Sequence, residues 1–216
     1  MFGLLWNKKK QYLTLVLAST AAISFATTAT AGSARIRGTV TAVSANALTV
    51  STAPGANVSI VLDGATVYLT STRSDLNHLT ANSYIGVASK DVGDRHVALG
   101  VIIFPSSMRG AAEGVSAWDK RPDTTLSGRT RTASSMTNGS VAAATRAGGT
   151  KQLTVTYKGA QQTILVPQTA PIVTLKPGTI ADLKAGDAVF VNAVADGSKT
   201  TAALIIVGSD GIAPPI

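Results

Sequence analysis

Alternation of apolar and polar residues is clearest near the end of the chain, over residues 188–207. The segment 188–195 reads AVFVNAVA, Asp196-Gly197 follows it, and a second apolar run covers residues 200–207. A period of two on both sides of an Asp-Gly pair is typical of a β-hairpin. The residues before it, 180–183 and the corner Lys184-Ala-Gly-Asp187, predict a short helical turn that leads into the hairpin.

The same order of elements occurs twice along the chain. In the first half, strands are predicted at 38–43, 47–52, 58–62, 66–69, 84–89 and 97–104, with a helical turn over 75–78 after Ser74 as N-cap. In the second half, strands are predicted at 140–145, 152–157, 162–166 and 171–175 before the closing hairpin. The repeat indicates two modules of similar architecture.

Short strands separated by turn residues, with one helical turn before the closing hairpin, are typical of small OB-like barrels. We therefore predict an all-β protein with two tandem OB-like β-barrel modules, each with one short helix, over residues 32–105 and 140–207. A tail over 208–216 ends near Pro214-Pro215. A single sandwich assembled from both halves is the competing architecture.

Residues 106–139 lie between the two modules and show no sustained periodicity. The segment is rich in Arg, Ser and Thr and holds the only glutamate of the chain, Glu113. Connections of this length in compact proteins tend to be functional or disordered. We interpret the segment as an inter-module linker.

The first 31 residues have the pattern of a secretory signal peptide. Three lysines at 8–10 precede an apolar run over 13–26, and Ala29-Thr30-Ala31 provides small residues before a cleavage point. The apolar run is shorter than the roughly 20 residues of a membrane-spanning helix, so a retained anchor is the less favoured interpretation. We expect export to the periplasm or cell surface of a Gram-negative bacterium, with no membrane span after cleavage.

Composition narrows the possible chemistry. The chain has no cysteine, which excludes disulfides, thiolate metal sites and thiol nucleophiles. Its formal net charge is +8, of which +5 remains after the signal lysines are removed. An excess of this size favours anionic partners, although it is equally compatible with a basic surface that has no dedicated partner.

Several segments resemble a family of exported bacterial domains of unknown function, DUF5666. They are Gly38-Thr-Val-Thr-Ala-Val43, Leu48-Thr-Val50 and Asp182-Leu-Lys-Ala-Gly-Asp187. Four further segments resemble a narrower group, a set of two-module proteins from proteobacteria. They are Ile103-Phe-Pro-Ser-Ser-Met-Arg-Gly-Ala-Ala-Glu-Gly114, Trp118-Asp119, Met136-Thr-Asn138 and the tail over 207–215. The resemblance implies OB-like barrels and export, and no established activity.

Some proteins of that set carry the label "metal ABC transporter permease". A permease needs several membrane-spanning helices, and no apolar run after the signal is long enough for one. Members of the set often have a histidine after the Glu-Gly pair, where this chain has Val115. That departure weakens a metal role inferred from the resemblance.

No motif predicts catalysis. The chain has neither a nucleophile elbow nor a phosphate-binding loop, so we expect a protein that is not an enzyme and has no cofactor. The two histidines, His78 and His96, fall on different predicted elements, and no metal ligand is assigned. Few aromatic residues lie outside core-like positions, and export makes nucleic acid an unsuitable partner.

The linker supplies the candidate binding residues Arg109, Glu113, Trp118 and Asp119, because Trp and Arg are frequent interface anchors. The alternative is internal: Trp118 fills the groove between modules, and Arg109 pairs with Glu113. We predict a non-enzymatic binding or scaffolding protein that recognises an envelope protein or an anionic polymer through the linker. A periplasmic accessory protein for metal handling, with a weak carboxylate or histidine site, is the second hypothesis, and an envelope hydrolase, for which no motif is present, is the third.

Overall fold

The computed structural model describes residues 32–53, 55–127, 130–147 and 150–216, and the predicted signal peptide lies outside them. The all-β prediction is confirmed, since the described residues form strands and single turns of 3-10 helix. The strands are β1 (Gly32–Ser44), β2 (Ala47–Ser51), β3 (Asn57–Val61), β4 (Val67–Arg73), β5 (Tyr84–Val92), β6 (Arg95–Ile103), β7 (Gly114–Pro122), β8 (Arg131–Ala147), β9 (Thr150–Tyr157), β10 (Ala160–Val166), β11 (Ile172–Pro177), β12 (Ala188–Asp196) and β13 (Lys199–Gly208).

Each of the twelve predicted strands is present, and the hairpin β12–β13 turns at Gly197 as expected. The predicted helical turns are single 3-10 turns at Leu76–His78 and Ile180–Asp182. Asp75, not Ser74, caps the first of these turns, by accepting a hydrogen bond from the Asn77 amide.

Residues 106–139, interpreted from the sequence as an inter-module linker, contain strand residues that the sequence did not predict. Strand β7 lies inside this segment, and β8 begins at Arg131, well before the predicted start of a strand at residue 140. The two strands pair with each other in antiparallel fashion, from Gly114–Asn138 to Pro122–Arg131. The segment is therefore an added hairpin on the sheet.

The first barrel is a closed ring of β1, β2, β3, β13 and β12. All its pairs are antiparallel except β3–β13, which is parallel and joins Val61 to Thr201. Its interior is aliphatic, and the fully buried members include Leu48, Ile60 and Ile205. Alternation along each strand places these side chains on one face, inside the ring.

The second barrel is a ring of β8, β9, β10, β6 and β5 with the same pattern of pairs. The parallel pair is β10–β6, in which Ile164 and Leu165 lie opposite His96 and Val97. Ile85, Leu153 and Ile164 are fully buried in its interior.

The two barrels are not sequential along the chain, so the predicted division into modules 32–105 and 140–207 does not describe the strand pairing. The hairpin β5–β6 closes onto β8 and β10, and the hairpin β12–β13 closes onto β1 and β3. Each half of the chain thus contributes three strands to one barrel and its closing hairpin to the other.

Strands β4 and β11 carry the chain between the barrels. They pair antiparallel from Arg73–Val173 to Leu69–Pro177, while β4 runs parallel to β13 and β11 runs parallel to β6. A third apolar core, which includes Leu69, Ile102, Leu175 and Ile206, lies around this crossing. The same core takes up Ile216 of the tail, so the barrels are packed together rather than tethered.

Two glycines occupy equivalent places where a long strand changes partners. Strand β1 pairs with β12 up to Thr39 and with β2 from Thr39 onward, and Gly38 lies at this change. Strand β8 passes from β5 to β9 at Ser140, next to Gly139. At both sites the backbone of the neighbouring strand comes so close that a side chain has no room.

Candidate functional site

Trp118 connects the two barrels. Its strand, β7, is hydrogen-bonded to β8 of the second barrel, but its ring stacks on Phe190 of β12, with centroids 6.3 Å apart. The Arg35 guanidinium lies over the Trp118 ring, 3.8 Å from its centroid. These contacts support the alternative prediction for Trp118, in which the side chain has an internal role between the two modules.

Asp119 forms ion pairs with two arginines of β1. Its carboxylate oxygens lie 3.0 Å from Arg35 Nη1 and 2.6 Å from Arg37 Nη1. Arg37 also donates from Nε to the main-chain oxygen of Ile216 at 2.5 Å, and its guanidinium lies 4.9 Å from the Phe190 ring centroid. Asp119 is therefore already committed to a contact between the barrels.

The pKa of Asp119 lies below its usual value. Burial alone would raise it, but the hydrogen bonds and charges of Arg37 and Arg35 outweigh burial. The carboxylate is thus more acidic in the folded than in the unfolded protein. The stability that it contributes is present above the unfolded pKa of about 4 and is lost as the pH falls through the lower folded value.

We therefore expect Asp119→Asn to destabilise the protein by about 1 kcal/mol at pH 7, since the pairs are only partly buried. The deficit relative to the natural chain should shrink at pH 3, because the unfolded carboxyl is then protonated and must lose its proton on folding. Urea unfolding at both pH values measures the difference. Asp94→Asn, in the exposed turn between β5 and β6, is the control, and a deficit that stays constant with pH would contradict the ion-pair assignment.

Arg109 and Glu113 do not pair with each other. Arg109 donates to Ser140 Oγ at 3.1 Å and to the Asn82 carbonyl at 2.5 Å. Glu113 accepts from the Lys158 amide at 3.1 Å. Both side chains hold the segment before β7 against the second barrel, and they lie apart from Trp118 and Asp119 in separate sets of contacts.

A buried ion pair fixes the far end of β7. Lys90 Nζ lies 2.6 Å from Asp123 Oδ2, and the two side chains are 12% and 3% exposed. Thr125 Oγ1 adds a hydrogen bond to each of the two charged groups. Burial alone would raise the pKa of Asp123, but the bonds from Lys90 and Thr125 hold it below its usual value.

The groups named for a metal site are not brought together. His78 faces Asp75, with 3.3 Å between Nδ1 and Oδ1, and His96 faces Asp91 at 2.7 Å. Within residues 32–53, 55–127, 130–147 and 150–216, no three His, Asp or Glu side chains form a cluster suited to a metal ion.

A groove of about 960 Å³ lies on the second barrel. It lies between the start of β9, the segment after β10 and the residues that follow β4, and we call it the basic groove. Three cations line it, Arg73, Arg146 and Lys151, against the single carboxylate of Asp75. Leu76, Ile172 and Val173 supply part of an apolar floor.

Two of these cations face each other directly. Arg146 at the end of β8 is the register partner of Lys151 at the start of β9. Like charges placed opposite on antiparallel strands destabilise the pair. Both also line an adjoining depression of about 180 Å³. The repulsion between Arg146 and Lys151 opposes folding, and both residues border a groove. These are the features of a binding site for an anion.

Sequence reasoning missed the arginines of β1 and the cations of the basic groove. Arg35 and Arg37 are two residues apart, a spacing that places both on one face of a strand, but the predicted strand began only at Gly38. Arg146 and Lys151 meet locally on β8 and β9, but Arg73 joins them only through the exchanged pairing of the halves.

Among the described residues, no helix has the length and apolarity needed to cross a bilayer. No protein-family model matches the chain, and the comparisons with curated proteins and with solved structures gave no match. Residues and geometry alone therefore carry the functional argument.

Proposed function

We propose that this protein is a non-enzymatic, exported binding protein of the bacterial envelope that holds an acidic polysaccharide in the basic groove. The observation that carries the proposal is the pair Arg146 and Lys151, opposite each other at the edge of the groove and joined there by Arg73. An extended polymer with regularly spaced carboxylates would neutralise these charges and relieve their repulsion.

The fold supports the same proposal. Each ring of five strands contains four antiparallel pairs and one parallel pair, which is consistent with the OB-like barrels predicted from the sequence. OB-like barrels bind oligosaccharides and oligonucleotides around their second and third strands and the loop before them. In the second barrel the second and third strands are β9 and β10, and residues of both line the basic groove.

The linker is the weaker candidate for recognition, because Arg109, Glu113, Trp118 and Asp119 are all engaged in internal contacts. A metal-handling function has no observation in its favour, since Glu113, Asp119 and the histidines have separate partners. We therefore advance the polysaccharide groove alone.

The test is calorimetric titration of polygalacturonate, with neutral dextran as the uncharged comparison. We expect polygalacturonate to bind and the triple variant Arg73→Gln, Arg146→Gln, Lys151→Gln to bind at least about tenfold more weakly, since each exposed cation contributes up to about 1 kcal/mol. Affinity should also fall as salt is raised.

The matched control replaces three exposed cations outside the groove, Arg95→Gln, Lys176→Gln and Lys199→Gln, and has the same net charge as the triple variant. Retained binding in this control would assign recognition to the groove. Equal losses in both variants would show attraction to net charge only, and absence of binding by the natural chain would refute the proposal.

A further inference from the structure

A second group of cations lies where the barrels meet, on the elements that hold Trp118. Arg35 and Arg37 come from β1 of the first barrel, Arg121 from β7 and Arg131 from the start of β8 on the second. We call these four residues the arginine cluster. Asp119 is the carboxylate that lies among them, and both of its oxygens are used by Arg35 and Arg37.

Arg121 is the unusual member of the cluster. Within the described residues, its guanidinium has no ion-pair partner and no hydrogen-bond acceptor. Burial, together with the nearby charges of Arg37 and Arg131, lowers its pKa to about 10, and Asp119 offsets this only in part. Arginine normally keeps its charge under all physiological conditions, so Arg121 is a partly buried cation among like charges.

Two buried donors in the same region also have no partner in the described structure. They are Arg37 Nη2 and Trp118 Nε1. Most buried polar groups in folded proteins are hydrogen-bonded, and an unpaired donor costs free energy. The region therefore has both excess positive charge and unused N–H groups.

The arrangement is open at one end. Arg131 is exposed and donates to the Lys120 carbonyl at 2.7 Å, and Arg35 and Arg37 retain 29% and 24% side-chain exposure. Arginine forks match the oxygens of tetrahedral oxyanions and can bind them through two parallel hydrogen bonds.

We propose that the arginine cluster is a binding site for the oxyanion of a phosphate group, held by Arg121 together with Arg37. Such an anion would supply the negative charge that Asp119 alone does not provide. It would also contact arginines from both barrels, and would therefore stabilise their junction. This site is separate from the basic groove, and neither proposal depends on the other.

The experiment measures thermal unfolding of the full chain with inorganic phosphate against chloride at constant ionic strength. We expect phosphate at about ten times its Kd to raise the Tm by about 3 to 5 °C. Arg121→Gln should lose this response, and without phosphate it should be at least as stable as the natural chain, because a like-charge repulsion has been removed. Arg95→Gln, an exposed control away from the cluster, should keep the response.

An equal rise in the natural chain and in Arg121→Gln would overturn the proposal, because it would reflect the general stabilising effect of phosphate on proteins. Absence of a rise in the natural chain would also overturn it. If Arg121→Gln does not fold, Arg121→Lys serves as the second variant, with a reduced response expected because it keeps the charge but loses the planar fork. A parallel series with glycerol phosphate separates a phosphate monoester from free phosphate, according to which gives the larger rise.

The outcomes also separate the two proposals. Loss of the phosphate response in Arg121→Gln with unchanged binding of polygalacturonate would place two independent anion sites on the protein. The groove variant carrying Arg73→Gln, Arg146→Gln and Lys151→Gln should keep the full phosphate response.

Discussion

A cysteine introduced at Ala34 should form a disulfide with one introduced at Ala193, and should form none with a cysteine at Ser89. Ala34 and Ala193 are register partners on β1 and β12. Partners on antiparallel strands have Cα atoms about 4.5–5.5 Å apart, within the range that a disulfide spans. The chain has no cysteine of its own, so no other thiol competes.

The repeat provides a matched set of controls for this experiment. Ala34 lies four residues before Gly38, and Ser135 lies four residues before Gly139. Ser89 and Ala193 each follow a β-bulge. The exchanged pairing predicts near-complete bonds for Ala34–Ala193 and Ser89–Ser135. Sequential modules would instead give Ala34–Ser89 and Ser135–Ala193.

The readout is the mass of peptides from oxidised protein, digested without reduction. The exchanged arrangement would be overturned by disulfides in Ala34–Ser89 and Ser135–Ala193, with none in Ala34–Ala193 and Ser89–Ser135. Each cysteine position is tested in one pair that should form a disulfide and in one that should not. Differences in thiol reactivity between positions therefore do not decide the result.

Replacing Gly38 or Gly139 with alanine is the second change with a large expected effect. These are the two glycines at which a long strand changes partners. A Cβ on Gly38 would overlap the Ser51 carbonyl oxygen and lie 2.7 Å from Val50 Cγ1. On Gly139 it would overlap the Thr156 carbonyl oxygen and lie 2.8 Å from Val155 Cγ1. In both cases a strand must move, so we expect each variant to lose roughly 1–3 kcal/mol of unfolding free energy.

Gly64→Ala is the control, because a Cβ there meets no atom within 4 Å and the backbone is not left-handed. At such a position alanine is neutral or slightly stabilising, since it restricts the unfolded chain. Chemical denaturation of the three variants measures the contrast. If Gly38→Ala were as stable as Gly64→Ala, the close approach of β1 and β2 would be wrong.

Strand positions could be predicted because they depend on local patterns. Val189, Val191 and Ala193 alternate, are buried and lie in the core of the first barrel, as a period of two requires. Strand β7 was missed for the same reason, since its residues are exposed or half-buried on both faces and carry no apolar alternation. Its place is set by Trp118 and Asp119, which act through tertiary contacts.

Pairing between the halves could not be predicted from the local pattern. The hairpins β5–β6 and β12–β13 have nearly the same length, the same bulge position and similar apolar faces, so either one suits either barrel. What distinguishes them is the crossing of β4 and β11 and the core around Leu69 and Leu175. The basic groove could not be predicted for the same reason. Arg146 meets Lys151 locally, but both meet Arg73 only through the crossing of β4 and β11.

The exchange of hairpins also governs when the protein can fold. Gly32 pairs with Ala195, about 160 residues later, so the first barrel cannot close until nearly the whole chain has been synthesised. Contacts of such long range slow folding. They also make each barrel depend on strands from both halves, so we expect one cooperative unfolding transition in place of two. The second barrel takes all its strands from residues 84–166, so its strands are complete before those of the first barrel, and the N-terminal strands β1 to β3 must wait for the last hairpin.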